Sequence, residues 1–221
     1  MSTNVNKREL LRKKREAEKR RKVFIFLGIA AGVVLIFVLA SILPKIILQQ
    51  TKYAGSEGFT VGSPDAPITV VQFSSYTCSF CKAFSENVEK QFIKDYVETG
   101  EVYYRFVNIA SNTPASELAS KASYCAADQN RFYEFKDLLY TYASSADAFS
   151  RDRLIGYANS VGMDTDAFGS CLDADTYTNA YLEDRAFAES VGLTGTPSFL
   201  VNDQLVLSSE LIPTVDSLLG Q

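Results

Sequence analysis

The sequence lacks histidine and tryptophan altogether, and only four of its 221 residues are cysteine. Without histidine the chain cannot form a Cys/His zinc site, a Ser-His-Asp triad or a Cys-His nucleophile. A zinc site made of all the cysteines is still formally possible, but it needs a second closely spaced pair. Cys78 and Cys81 are closely spaced, whereas Cys125 and Cys171 lie far apart in the sequence. We therefore expect no metal site.

Charge is missing completely from residues 23–43, in a chain whose formal net charge is −4. A helix of this length spans roughly 30 Å, which is the thickness of the hydrocarbon core of a bilayer. A buried core helix is a poorer interpretation, because the stretch is long and has no polar face. A cleaved signal peptide has a shorter apolar stretch, of about 7–15 residues, and a small-residue cleavage site that residues 41–44 do not provide. The sequence therefore predicts an uncleaved transmembrane helix.

The two sides of this predicted helix differ in charge. Residues 1–22 are strongly basic, whereas the chain after residue 45 is acidic. The positive-inside rule places the basic tail in the cytoplasm, beside anionic lipid headgroups, and the rest of the chain outside the cell membrane. An acidic body also argues against nucleic-acid binding. The cysteines, all after residue 45, then lie in a compartment that permits disulfides.

A dithiol motif follows at a predicted strand-to-helix junction. The β-branched run Ile68–Ser74 predicts a buried strand, and apolar residues at helical spacing from Cys81 to about Glu98 predict a helix. Two cysteines three positions apart at such a junction are typical of a redox site. The unpaired N–H groups at the helix start lower the pKa of the first thiol, that of Cys78, and the second thiol is close enough to form a disulfide with it.

After a linker at residues 44–63, the chain alternates between strand and helix patterns. A short edge strand at Phe59–Val61 and a strand at Val102–Ile109 are predicted, the latter parallel to Ile68–Ser74 in a β-α-β unit. A helical block follows, and then a hairpin and a closing helix. The helices are predicted from Pro114 onwards and at Arg131–Ala143, Arg151–Ser160, Asp164–Leu172, Thr176–Val191 and Leu211–Leu219, and the hairpin strands at Ser198–Val201 and Gln204–Leu207. This order predicts an α/β domain over residues 64–221 with a helical insertion at about residues 111–190.

Together these features resemble the thioredoxin superfamily, and within it the DsbA-like thiol-disulfide oxidoreductases. The resemblance covers the chain from about Gly62 to its C-terminus. It rests on the strand leading into the Cys-Ser-Phe-Cys motif, on the helical insertion and on two segments similar to family patterns, which are Tyr124–Gln129 followed by Phe132 and Tyr133, and Gly192–Phe199. It implies a thioredoxin-like fold with βαβ and ββα halves around the insertion, preceded here by the transmembrane helix.

The resemblance also implies an active site in which the dithiol faces a cis-proline loop. The residues concerned are the catalytic Cys78 and Cys81 and the loop residues Ser79, Phe80, Thr196 and Pro197. A cis bond before Pro197 would bring the backbone of Thr196 against the sulfur atoms, where it can pair with an extended substrate chain. No bound cofactor is needed, because the electrons move through sulfur.

The sequence departs from the better-known DsbA pattern beside the dithiol. Ser79 and Phe80 stand where that pattern has proline and histidine, so no imidazole favours the Cys78 thiolate. Gln72 replaces the acidic residue often found six positions before the first cysteine, and glutamine cannot titrate. We therefore expect a less depressed Cys78 pKa and a milder oxidant than the best-known members of the family.

The remaining cysteines, Cys125 and Cys171, flank the helical insertion and allow two interpretations. They are either a second redox pair or a structural disulfide, and we favour the structural disulfide. Such a bond closes a long loop and stabilises the fold by about 4 kcal/mol in the chain-entropy model.

The function that the resemblance implies is that of a membrane-tethered enzyme that introduces disulfides into secreted or surface proteins. Its substrates would be unfolded or reduced proteins, and a quinone-linked membrane reoxidase of DsbB or VKOR type would regenerate it. A disulfide reductase or isomerase on the same fold is the first alternative. A non-enzymatic extracellular binding module with two structural disulfides is the second, although such disulfides seldom take this spacing at a helix start.

Overall fold

The computed structural model describes residues 56–111, 113–174 and 176–221, together with Tyr53. The predicted basic tail, the predicted transmembrane helix and most of the linker lie outside the described residues. Within the described part of the chain, no helix is long and apolar enough to cross a membrane. The membrane anchor at residues 23–43 therefore stays a prediction.

One mixed β-sheet runs through the described residues. Its strands are β1 (Ser56–Glu57), β2 (Thr60–Val61), β3 (Ile68–Ser74), β4 (Val102–Asn108), β5 (Ser198–Val201) and β6 (Gln204–Leu207). Their order across the sheet is β1-β2-β4-β3-β5-β6. β3 and β4 are parallel, as predicted, and the other neighbours are antiparallel. The position of β3 inside the sheet agrees with its nearly continuous apolar sequence, which suits a strand covered on both faces.

The first helix, α1, follows β3 after a short turn and runs to Val97. It consists of the α-helical segments Ser79–Phe84 and Lys90–Phe92, which alternate with wider π-helical turns at Ser85–Glu89 and Ile93–Val97. The predicted start at Cys81 was wrong by two residues. Cys78 takes the N-cap position, and its side chain accepts a hydrogen bond from the backbone N–H of Cys81, so the helix begins at Ser79.

A block of five helices lies between β4 and β5 in the chain and forms the predicted insertion. These helices are α2 (Pro114–Asp128), α3 (Phe132–Tyr142), α4 (Arg151–Ser160), α5 (Thr165–Asp173) and α6 (Thr178–Ser190), and α7 (Leu211–Leu219) closes the chain. Side-chain caps fix two of the starts. Thr113 caps α2 ahead of Pro114, and Asp164 caps α5.

The core divides between the two faces of the sheet. The larger part, on the face of α1 and of helices α2 to α5, contains apolar residues that include Val70, Tyr104, Phe106 and Phe135. A smaller cluster on the other face includes Val71, Phe73, Val107 and Ala188. Because side chains alternate along a strand, Gln72 and Ser74 of β3 point to the same face as Val70. Both polar residues are completely buried there.

Candidate active site

The dithiol lies at the junction of β3 and α1. Cys78 is half-buried, and its sulfur accepts a hydrogen bond from the backbone N–H of Cys81 at 3.4 Å. The Cys78 thiol also donates to the backbone carbonyl of Thr196 at 3.3 Å. The first cysteine of the motif is therefore the one that a partner can reach, and the helix start and the facing loop hold its sulfur in place.

The pKa of Cys78 is shifted downwards. Partial burial acts in the opposite direction, but hydrogen bonds from the Cys81 side chain and backbone, from the Thr196 side chain and from the Phe80 backbone together outweigh it and lower the pKa. These groups favour the thiolate because they donate hydrogen bonds to sulfur at the positive end of a helix. The pKa of Cys78 is thus lowered without the histidine that the better-known DsbA pattern has beside the dithiol.

The pKa of Cys81 is shifted upwards. Its side chain is completely buried, and burial raises the pKa to about 11, although hydrogen bonds from the Ser74 and Thr196 side chains and the Ser75 backbone partly oppose the shift. The Ser75 N–H lies 3.5 Å from the Cys81 sulfur. The accessible thiol is therefore more acidic than the buried one.

The loop before β5 faces the dithiol. The peptide bond between Thr196 and Pro197 is cis, and the Thr196 carbonyl is the group that contacts Cys78. The Ser198 hydroxyl donates to the carbonyl of Gly195 at 2.8 Å and closes the loop. Between the two cysteines, the side chain of Phe80 is 75% exposed. A partner protein that reaches Cys78 meets this apolar side chain beside it.

The other two cysteines lie in the helical insertion. Cys125 of α2 and Cys171 of α5 form a disulfide, and Cys125 is 2% exposed. The free cysteines among the described residues are Cys78 and Cys81. The structure thus brings the predicted dithiol and the predicted cis-proline loop together, and it holds the Cys125–Cys171 bond in a separate part of the domain. Among the described residues, no cluster of three or more acidic or cysteine side chains could hold a metal ion.

A set of buried polar side chains near the dithiol was not predicted from the sequence. Glu89 of α1 and Lys136 of α3 form an ion pair with no exposed surface. Glu89 lies four residues after the buried Ser85 of α1, and Lys136 lies four residues after the buried Phe132 of α3. Residues at this spacing share one face of a helix, so the sequence pattern could have indicated that both charges are buried. A charged residue on an apolar stripe indicates either a partner or a function, and the sequence alone does not reveal which residue that partner is.

Comparison with known proteins agrees with this geometry. A family model described as Thioredoxin matches residues 55–219. Disulfide bond formation protein D of Bacillus subtilis is 26% identical over 151 residues, which are 66% of this chain and 68% of that protein. The chain also matches Na(+)/H(+) antiporter NhaA 3 of Salinispora tropica at 28% identity, but it spans only 21% of that protein's length.

Two solved structures have the same fold. The crystal structure of oxidised BdbD from Bacillus subtilis has a TM-score of 0.68 and 25% identity, and the match covers 74% of this chain and 94% of that chain. The crystal structure of Chlamydia trachomatis DsbA has a TM-score of 0.67 and 21% identity, and the match covers 78% and 95%. The family model covers most of the chain, and the Bacillus subtilis relative is named for disulfide bond formation. The chain therefore belongs to the thioredoxin family, as one of its DsbA-like thiol-disulfide oxidoreductases.

Proposed function

We propose that this protein is an extracytoplasmic oxidase that introduces disulfides into secreted or surface proteins. The observation that carries the proposal is the contrast within the dithiol. Cys78 is accessible and has a lowered pKa, whereas Cys81 is buried and has a raised pKa. An accessible sulfur that is stable as a thiolate is a good leaving group, which favours handing the disulfide on to another protein.

The reaction begins with the Cys78–Cys81 disulfide. A substrate thiolate attacks the Cys78 sulfur, a mixed disulfide forms, and the electron pair of the broken S–S bond leaves with Cys81. A second substrate thiolate then attacks the substrate sulfur of the mixed disulfide, and Cys78 leaves as a thiolate. The substrate has lost two electrons and gained a disulfide, and the enzyme holds two reduced cysteines. The lowered Cys78 pKa assists the second step.

The rest of the chain supports a location for the domain and a type of regenerating partner. The basic residues 1–22 and the uncharged residues 23–43 support a single-pass anchor with the catalytic domain outside the membrane. The reduced dithiol must then return its electrons to an acceptor. A quinone-linked membrane reoxidase of DsbB or VKOR type fits, because a tether holds the domain close to the membrane.

A disulfide reductase or isomerase is the second candidate, and one observation favours it. Ser79 and Phe80 take the place of proline and histidine, so hydrogen bonds and the helix start alone stabilise the Cys78 thiolate. The reduction potential distinguishes the two candidates. We expect a value clearly above that of thioredoxin, about −270 mV, and a value near that of thioredoxin would favour the reductase.

Trapping of mixed disulfides tests the proposal. The Cys81→Ala variant cannot release a bound partner by internal attack, so it should accumulate proteins joined to Cys78. These adducts should disappear on reduction and should be missing from the Cys78→Ala/Cys81→Ala control. A folded Cys81→Ala variant that collects no partner in cells would contradict the proposal.

A further inference from the structure

A fully buried ion pair lies behind the dithiol and has no part in the reaction described so far. Lys136 of α3 and Glu89 of α1 are both 0% exposed and contact each other directly. The Ser85 hydroxyl donates to Glu89 at 2.8 Å and accepts from Lys136 at 3.0 Å. Removing two charges from water is costly, and apolar side chains often replace such a pair without loss of stability. Stability alone is therefore a weak reason for its presence.

A line of hydrogen bonds connects this pair to the active site. The Tyr104 hydroxyl lies 3.2 Å from Oε1 of Glu89 and also donates to the side-chain oxygen of Gln72. Gln72 donates in turn, through Nε2, to the Ser74 hydroxyl at 3.3 Å. Ser74 precedes Ser75, whose backbone N–H lies 3.5 Å from the Cys81 sulfur, and hydrogen bonding from the Ser74 side chain lowers the pKa of Cys81 against the effect of burial. Tyr104, Gln72 and Ser74 are all completely buried.

We infer that Ser74, Gln72 and Tyr104 form a buried relay that couples the Glu89–Lys136 pair to Cys81 and stabilises the Cys81 thiolate as it leaves. This inference rests on the proposed function, because it concerns the leaving group of the same exchange reaction. Ser74 is the relay residue that acts on Cys81. Gln72 and Tyr104 are positioning residues, which act on the sulfur through Ser74.

The donor and acceptor at each hydrogen bond of the relay follow from the number of hydrogens that each side chain can donate. Tyr104 has one hydroxyl hydrogen and two candidate acceptors, which are Gln72 and Glu89. Lys136 neutralises Glu89 and so weakens it as a competitor, which leaves the Tyr104 hydrogen for Gln72. A glutamine side chain both accepts and donates, so it passes this orientation on to Ser74 without changing its own charge.

Ser74 is the end of the relay that meets sulfur. Its oxygen receives the hydrogen bond from Gln72 and lies 2.7 Å from the Tyr140 hydroxyl. When Gln72 and Tyr140 donate to its two lone pairs, the hydrogen of Ser74 points to Cys81. A hydrogen bond to a developing charge is among the stronger ones, particularly in a buried site.

A thiolate attacks the Cys78 sulfur, the Cys78–Cys81 bond breaks, and the electron pair remains on Cys81. Ser74 donates a hydrogen bond to that sulfur while the charge develops. A proton from water then converts Cys81 to the thiol, since burial raises the pKa of this group to about 11.

The first test removes single hydroxyl groups from the full-length protein. The rate at which dithiothreitol reduces the Cys78–Cys81 disulfide should fall about tenfold in Ser74→Ala, and about threefold in Tyr104→Phe, which is one step further from the sulfur. The equilibrium with glutathione should change less than about twofold, because the relay acts on a charge that is present only during the reaction. A purely structural role would not produce this separation of rate from equilibrium.

Tyr133→Phe is the matched control for Tyr104→Phe. Tyr133 is as buried as Tyr104, and its hydroxyl donates to the carbonyl of Phe59 at 3.0 Å, outside the relay. Tyr133→Phe should therefore be reduced at the wild-type rate. Equal rates in Tyr104→Phe, Ser74→Ala and Tyr133→Phe would overturn the inference.

The second test changes the ion pair. Lys136→Met leaves the Glu89 charge without its partner, so Glu89 should take the Tyr104 hydrogen away from Gln72 and the rate should fall. The double variant Glu89→Gln/Lys136→Met removes the competing charge and should recover most of the rate. A double variant as slow as Lys136→Met would contradict the coupling. If Lys136→Met does not fold, Ser74→Ala and Tyr104→Phe still test the inference.

The two proposals fail in different ways. Wild-type protein that cannot oxidise a reduced peptide contradicts the proposed function, whatever the variants do. Wild-type protein that oxidises the peptide, together with a Tyr104→Phe variant that reacts like Tyr133→Phe, contradicts the relay alone.

Discussion

Cys78 and Cys81 are three positions apart, yet their thiol pKa values move in opposite directions. The difference has a simple origin. Cys78 caps a helix and receives hydrogen bonds at the edge of the domain, whereas Cys81 is one turn further on, where the same helix packs against the core. A single helical turn therefore separates the reactive thiol from the sheltered one.

This contrast predicts the pH dependence of alkylation in the reduced protein. The thiolate is the reactive form, so a lowered pKa moves the reaction of Cys78 to lower pH. The rate with iodoacetamide should reach half its maximum at a pH below about 8.5, the value of a free cysteine. Cys78→Ala, whose remaining free thiol among the described residues is Cys81, should react very slowly at pH 7. Equal labelling of the two thiols at pH 7 would contradict the assignment.

At the scale of secondary structure, much of the fold could be predicted from local signals. The bounds of β3, β5, β6, α4 and α7 agree with the sequence prediction to the residue. The start of α1 was missed because cysteine is not among the usual N-cap residues, although here its sulfur performs that role. β1 was missed because its two residues, serine and glutamate, are not typical of a strand.

The candidate site also has parts that local sequence signals predict and parts that they do not. The dithiol and the loop at Pro197 depend on short motifs, which the sequence shows directly. The Glu89–Lys136 pair depends on two helices that only the tertiary fold brings together, 47 positions apart in sequence. Local patterns could indicate that each charged side chain is buried, but they could not show that the two side chains contact each other.

The Cys125–Cys171 disulfide in the helical insertion is expected to stabilise the domain without taking part in disulfide exchange. Its cysteines are 46 positions apart in sequence, so Cys125→Ala/Cys171→Ala should lower the free energy of unfolding by about 4 kcal/mol in the chain-entropy model. Disulfide exchange at Cys78 should continue at temperatures where the variant stays folded. Urea denaturation and a peptide-oxidation assay measure the two quantities. A stable variant without exchange activity would instead indicate a second redox pair.

At the scale of the whole molecule, the domain belongs outside the membrane if the anchor prediction is right. A membrane-impermeant maleimide should then label Cys78 in intact cells that express the full chain, after mild reduction. Cys78→Ser is the control, because Cys81 is buried. Labelling that appears only after the cells are lysed would place the domain on the cytoplasmic side and contradict the proposed location.

In the proposed reaction, the burial of Cys81 also bears on how long each encounter with a substrate lasts. At neutral pH its thiol is almost entirely protonated, because burial raises the pKa to about 11, so it attacks a mixed disulfide on Cys78 slowly. In the proposed reaction, a bound protein with a second thiol within reach would then have time to complete its own disulfide. A protein with a single available thiol would instead be released unchanged once Cys81 reacts. Slow attack by the buried cysteine would thus favour substrates that can form a disulfide.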